Sequence, residues 1–413
     1  MARSSSLEEA AMPRGERVAA PEARERAGGG GDRELAVAIV GMSATGACGV
    51  RDHSAVLASA LAHEGVAGSR HWLDREDRSL RADRVTVGDW SATLSDDLRA
   101  GSYDAVVWEY SVFAHSYRGL PVFVAPTLAA LRRAGLPLVG FMHELVYPWR
   151  LGGARGRVWA ATQRAVLPGI VRACEELIVT ADFRASWLRR QRWLAPRPLA
   201  LAPVFSNLPR PSEAESARSA RAGAESGRVR VGTFGYVYGS SRIALVLDAL
   251  RLLERRGPQP RLALLGAPGR DSLPAQRWLA AARARALEPL LDFEGPLPPQ
   301  QISDAIAACD VLLFADPPGP TSRKGTLAAA LASGRPLVAL DGPRTWSAPV
   351  RDGALRLVEP QAGALATALE RLLADRPGLE CLGARGRAFY EAHMDVARTA
   401  AVVRDRIELA VTR

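Results

Sequence analysis

The chain has 413 residues, 48% hydrophobic and 24% charged, which suits two ordinary globular domains and excludes a disordered or fibrous protein. Lys plus Arg number 54 against 44 Asp plus Glu, for a formal net charge of +10; such a surface favours phosphates, anionic lipid headgroups or nucleic acid without choosing among them. The four cysteines, Cys48, Cys174, Cys309 and Cys381, lie far apart with no CxxC or Cys/His cluster, which argues against a zinc site or a disulfide framework and for a reducing, cytoplasmic setting.

Residues 1–32 are rich in Ser, Glu, Ala, Arg and Gly, with GGGG at 28–31 and no aromatic side chain, and read as a disordered tail without the apolar core of a signal peptide. Order is expected to begin at ELAVAIVG (34–41), a continuous apolar run of the kind that fills a buried parallel strand. GMSATGACG (41–49) is a glycine-rich turn, too loose for a dinucleotide fingerprint because the GxGxxG spacing is absent. DHSAVLASALAHEG (52–65) reads as an amphipathic helix. YDAVVWEY (103–110) is a second strand, PVFVAPTLAALRRAG (121–135) contains a helix, and LPLVGFMHE (136–144) is a strand ending in His143 and Glu144. After the aromatic loop YPW (147–149), ELIVTADFRASWLRR (176–190) gives strand then helix, and PLALAPVFSNLP (198–209) a last strand. No apolar run reaches the length of a membrane span.

The composition breaks at 209–228, PRPSEAESARSARAGAESGR, which holds no large apolar residue and reads as a linker or mobile loop. Strands and helices then alternate again: RVRVGTFGY (228–236), IALVLDALRLLERRG (243–257), PRLALLGAPG (260–269), AQRWLAAARARALE (275–288), LDFEG (291–295), PPQQISDAIAACD (298–310), DVLLFAD (310–316), GALRLVEP (353–360), AGALATALERLLADR (362–376) and two further helical segments. The expected fold is α/β, with two doubly wound Rossmann-like domains, 33–208 and 229–392, facing a cleft across the linker 209–228. A C-terminal helix, 393–413, is expected to pack back on the first domain.

One stretch stands out, GPTSRKGTLAAALASGRPLVAL (319–340). A helix N-terminus offers unpaired N–H groups and a partial positive charge, and so attracts anions. Ser322, Arg323, Lys324, Gly325 and Thr326 stand at such a start: Arg grips two oxygens, Lys acts as a point charge, and glycine admits close approach. The alternative is a solvated helix start with a Thr cap, but cations there oppose the helix dipole. GTFGYVYGSSRIALVL (232–247) repeats the arrangement, a strand, a glycine-rich turn, then Ser240, Ser241 and Arg242 at a helix start. The two turns together could hold one diphosphate.

In order, VGTFGY, RLALLG, FEGPLPPQQISDAIAACDVLLFAD and LAAALASGRPLVAL resemble the nucleotide-sugar-binding half of a GT-B glycosyltransferase of family 4, and the resemblance extends over roughly residues 35 to 410. It implies transfer of a sugar from a nucleotide-diphosphate donor to an acceptor hydroxyl, usually with retention of configuration and without a metal or other cofactor. It places the donor diphosphate at Arg242 and at Ser322, Arg323, Lys324, Gly325 and Thr326, with Gly235, Tyr236, Gly295 and Thr321 near the nucleotide or sugar. It makes His143 the catalytic-side residue and sets Gly46, Glu109, Glu144 and Tyr147 on the acceptor side. His53 could line the cleft near the first turn. Glu109 and Glu144 either meet the acceptor hydroxyl or are solvated loop acids, and Tyr147 either stacks on a sugar or packs on the domain edge. The family's paired glutamates fall on Thr321 and Ala329 here, so both acids are missing; a non-catalytic relative that binds nucleotide or scaffolds a glycan-synthesis complex is therefore the competing expectation. The acceptor is expected to be a glycan, a lipid-linked molecule or a small molecule, the excess charge to serve a peripheral contact with the anionic inner membrane face, and nucleic acid to be no partner, since no recognition motif is present.

Overall fold

The computed structural model describes residues 34–44, 48–75, 79–212, 228–266 and 269–413. The expected tail, Gly46 and most of the expected linker lie outside these residues.

The first domain runs β1 (Leu35–Ser43), α1 (Gly49–His63), β2 (Val66–Asp74), α2 (Leu80–Ala100), β3 (Ala105–Ser111), α3 (Val124–Ala134), β4 (Leu138–Glu144), α4 (Gly153–Ala173), β5 (Glu176–Val179), α5 (Asp182–Arg189) and β6 (Leu199–Leu201). Its six strands are parallel in the order β2-β1-β3-β4-β5-β6. The apolar run of β1 follows from burial on both faces: Ala38 and Val40 enter one core, while Val37 and Ile39 enter the other.

The second domain runs β7 (Arg228–Phe234), α6 (Ser240–Glu254), β8 (Gln259–Leu265), α7 (Leu273–Arg283), β9 (Leu291–Glu294), α8 (Pro299–Ala307), β10 (Val311–Phe314), α9 (Gly325–Ala332), β11 (Leu337–Leu340), α10 (Ser347–Arg351), β12 (Arg356–Val358), α11 (Ala362–Ala374), α12 (Arg376–His393) and α13 (Val396–Val411). Its strands are also parallel, in the order β12-β11-β10-β7-β8-β9. The order reverses beside β7 and β10, and crevices for ligands open at such switch points, beyond the carboxyl ends of the strands.

Three elements were not legible as runs. β2 is an edge strand carrying Arg70, His71 and Asp74, and only its first residue is fully buried. α2 buries a thin stripe, Val87, Leu94 and Leu98, within a polar sequence. α4 starts on glycines and contains Pro168.

The domains meet through their loops and through α13. Ala400, Val403, Ile407 and Ala410 of α13 join the first-domain core with Leu57, Leu61, Val139 and Ile178. Arg406 Nη1 and Arg413 Nη2 lie 3.3 and 2.9 Å from the fully buried carboxylate of Glu176. Beside the cleft, Val204 N donates to Ser322 O at 2.8 Å, and Ser322 Oγ donates to Thr180 O at 2.9 Å.

Candidate active site

Glu109 sits near the end of β3, opposite Phe141 in the β3–β4 register, and is fully buried. It is therefore no solvated loop acid. One carboxylate oxygen contacts His143 Nε2, and the other lies 3.6 Å from His53 Nδ1. Burial alone would push this carboxyl up, but His143 and His53 pull it down to about 2. An ionised Glu109 can only accept, so Nε2 of His143 carries the hydrogen in that contact and the ring is fixed in orientation. His53 is held by stacking on Phe205 at 4.3 Å and by an edge contact with His143 at 4.8 Å; its pKa is lowered by burial, against the pull of Glu109. The three side chains offer ligand atoms within 4.8 Å of one another, a set that could hold a metal ion.

The carboxyl end of β4 is braced from α5. Arg184 Nη1 donates to His143 O and to Thr180 Oγ1, the latter at 3.1 Å. Glu144 accepts from Ser111 Oγ at 3.4 Å and meets Arg323 Nη1 of the second domain at 3.4 Å. Tyr147 does pack on the domain edge: its ring lies edge-on to Phe113 and Trp159, and its backbone N–H donates to Gln163 Oε1.

On the second domain the two glycine turns come together. Gly235 has φ +71, and a Cβ there would lie 2.8 Å from Cγ2 of Thr326, so only glycine lets the turn after β7 approach the start of α9. The first residue of α9 is Gly325; Lys324 is its cap residue, and no side chain caps the helix, so a Thr cap is not formed. Lys324 Nζ pairs with Asp316 Oδ2 at 2.8 Å. Arg242 Nη2 donates to Pro317 O and Asp341 O, each at 3.3 Å. Thr321 and Ser322 are buried, with Ser322 committed to the first domain. Tyr236 faces away: its side chain belongs to the core packed on α6 and α7, and its carbonyl accepts from Trp278 Nε1 at 2.9 Å. Gly295 (φ +131) is held by backbone crowding, since a Cβ would lie 2.6 Å from Gly266 O. Gly46 lies outside the described residues.

Sequence reasoning did not single out Arg184, Arg344 or Asp316. Arg344 sits 4.8 Å above the Phe183 ring and Arg184 5.6 Å from it. Nothing local marks either among the many arginines of the chain. Asp316 carried a signal, as the first acid after an apolar strand.

Residues 228–375 match the family model described as "Glycosyl transferases group 1". No curated protein matches the sequence. Among solved structures, a sucrose-phosphate synthase from Thermosynechococcus elongatus superposes with a TM-score of 0.66 at 17% identity, covering 91% of this chain and 100% of that one. Anabaena Alr3699/HepE, solved in complex with UDP and glucose, gives 0.65 at 14% identity, covering 91% and 99%. The pneumococcal O-GlcNAc transferase GtfA, in complex with UDP and GlcNAc, gives 0.54 at 15% identity, covering 80% and 61%. The expected GT-B arrangement of two Rossmann-like domains is the fold of this chain.

Proposed function

We propose that this chain, whose second domain is of the group 1 glycosyl transferase type, moves a sugar from a nucleotide-diphosphate donor to an acceptor hydroxyl, with retention of configuration and without a metal. The observation that carries this reading is the junction of Gly235 with Thr326: two glycine-rich strand–helix turns converge on one point at the carboxyl end of the sheet, where a diphosphate fits an uncapped helix start.

In this reading Lys324, Arg323, Arg242 and the free N–H groups of α9 hold the donor diphosphate and stabilise it as it leaves. His143, oriented by Glu109, faces the reacting sugar from the first domain and hydrogen-bonds a hydroxyl or the developing charge. The acceptor belongs to polysaccharide, glycolipid or natural-product glycoside synthesis. A contact with an anionic membrane is supported by residues 145–174, which hold five arginines and no acid, with Trp149 and Leu151 exposed. Among the described residues no helix is long and apolar enough to cross a membrane. Salt-dependent pelleting with anionic liposomes tests the contact; no binding at low salt removes it.

The experiment for the main reading is a thermal-shift screen against UDP-, GDP-, ADP- and TDP-linked sugars, followed by product analysis with the donor that stabilises. A ligand that binds only the folded state must raise the melting temperature. Silence across the whole panel would favour the second reading, a non-catalytic relative, for which Thr321 and Ala329 at the acid positions are the supporting observation.

A further inference from the structure

The cations that the sequence offers for phosphate binding are largely matched already. Lys324 is paired with Asp316, and Arg242 lies under the influence of Asp316 and Asp341. The unmatched positive charge is elsewhere. Arg184 from α5 and Arg344 in the turn after β11 meet over Phe183, and Arg323 ahead of α9 lies near enough that it and Arg344 both act against the charge of Arg184. One carboxylate stands against the first two: Glu144 lies 3.4 Å from Arg323 and supports the charge of Arg184. Arg344 has no acidic partner among the described residues, and Arg184 donates to two neutral oxygens, His143 O and Thr180 Oγ1. Three guanidinium groups with one counter-charge leave an excess of two positive charges in a partly desolvated cleft, which an anion relieves.

We infer that Arg184, Arg323 and Arg344 form a seat for a phosphate-class anion, assembled from both domains and distinct from the Lys324–Asp316 pair. The inference rests on the donor-cleft reading above only for the source of that anion. It is either the diphosphate of the donor or a phosphate carried by the acceptor; guanidinium groups grip either in the same bidentate way. Arg184 is pre-positioned by its two hydrogen bonds, and because Arg323 and Arg344 arrive from the other domain, a bound anion also ties the domains together.

The test is isothermal titration of inorganic pyrophosphate, inorganic phosphate and UDP into the full chain at low ionic strength, with Arg344→Gln and Arg323→Gln as variants. Arg184 is left intact because it braces β4. Thermal melting checks that the variants fold; among the described residues the Arg344 side chain makes no hydrogen bond, so its variant is expected to fold. Pyrophosphate affinity is expected to fall about tenfold or more in each variant. Unchanged pyrophosphate affinity in both, or no pyrophosphate or phosphate binding to the parent chain, overturns the seat. If UDP displaces pyrophosphate and loses affinity in parallel, the source is the donor. If the UDP-saturated chain still binds phosphate and Arg344→Gln loses only that, the source is an acceptor phosphate. If UDP does not bind while the pyrophosphate loss persists, the seat stands and the donor reading falls.

Discussion

Glu144 Oε1, on the last residue of β4, lies 3.4 Å from Arg323 Nη1 of the opposite domain. Both side chains are partly exposed, so the pair itself contributes only about 0–1 kcal/mol. Its effect on the local field is larger, since among the described residues Glu144 is the one acid that supports the charge of Arg184. Glu144→Gln is expected to leave the melting temperature nearly unchanged and to tighten pyrophosphate binding several-fold at low salt. Titration calorimetry decides the point; equal or weaker affinity counts against an electropositive seat.

Glu109 and His143 form a buried contact that fixes the imidazole. Glu109→Gln keeps the shape but sets an amide N–H₂ against one of two imidazoles, at a cost of about 1–3 kcal/mol of stability. If Glu109 positions His143, turnover is expected to fall about tenfold or more with the KM for the donor little changed. A loss confined to stability would make the cluster purely structural.

The buried Trp108–His115 pair predicts a pH dependence. Trp108 Nε1 donates to His115 Nε2 at 3.1 Å, and His115 Nδ1 lies 3.0 Å from Ser111 O. The neutral ring is thus satisfied at both nitrogens, whereas a second proton would face the Trp N–H. Burial lowers the His115 pKa to about 4. The unfolded chain then binds more protons below its ordinary pKa near 6.5, so stability falls by about 3 kcal/mol as pH drops from about 6.5 to about 4. Glu109, also depressed in the fold, costs stability in a lower window, from about 4.5 towards 2. Urea unfolding at a series of pH values should show the first slope flattened in His115→Gln; an unaltered slope would refute the assignment.

Lys324 is the only lysine in the sequence. Amine acylation followed by mass spectrometry therefore reads one side chain plus the N-terminus. Its ammonium is about a third exposed and paired with Asp316. Saturating donor nucleotide is expected to slow acylation of Lys324, and Lys324→Met to weaken that nucleotide by about tenfold. Equal labelling with and without nucleotide would place the diphosphate elsewhere.

Fixed cations beside the helix start can do the work of a metal on a leaving diphosphate, so transfer activity is expected to survive chelation by EDTA. Activity lost on chelation and restored by a divalent ion would point first to His53, Glu109 and His143, whose ligand atoms lie within 4.8 Å.

The parallel strands were legible because a strand buried on both faces must be apolar throughout, as in AVAIV of β1 and VLLF of β10. β2 was not, because an edge strand with Arg70, His71 and Asp74 has no such demand on it. His143, Glu144 and Glu109 were legible as polar residues ending apolar strands. That Glu109 is a fully buried carboxylate between two imidazoles was not, since a lone Glu in sequence reads as solvated.

The sequence by itself determined the two-domain α/β fold and the place of the two glycine turns, since burial and backbone sterics act on local patterns. Tertiary structure alone decided which charges are spent and which are left over. More than a hundred residues of chain separate Arg184 from Arg323 and Arg344, and only the meeting of the domains brings Arg344 over Phe183 beside Arg184 and sets Arg323 against Glu144. Coulomb interactions depend on distance and burial, neither of which is written in residue order.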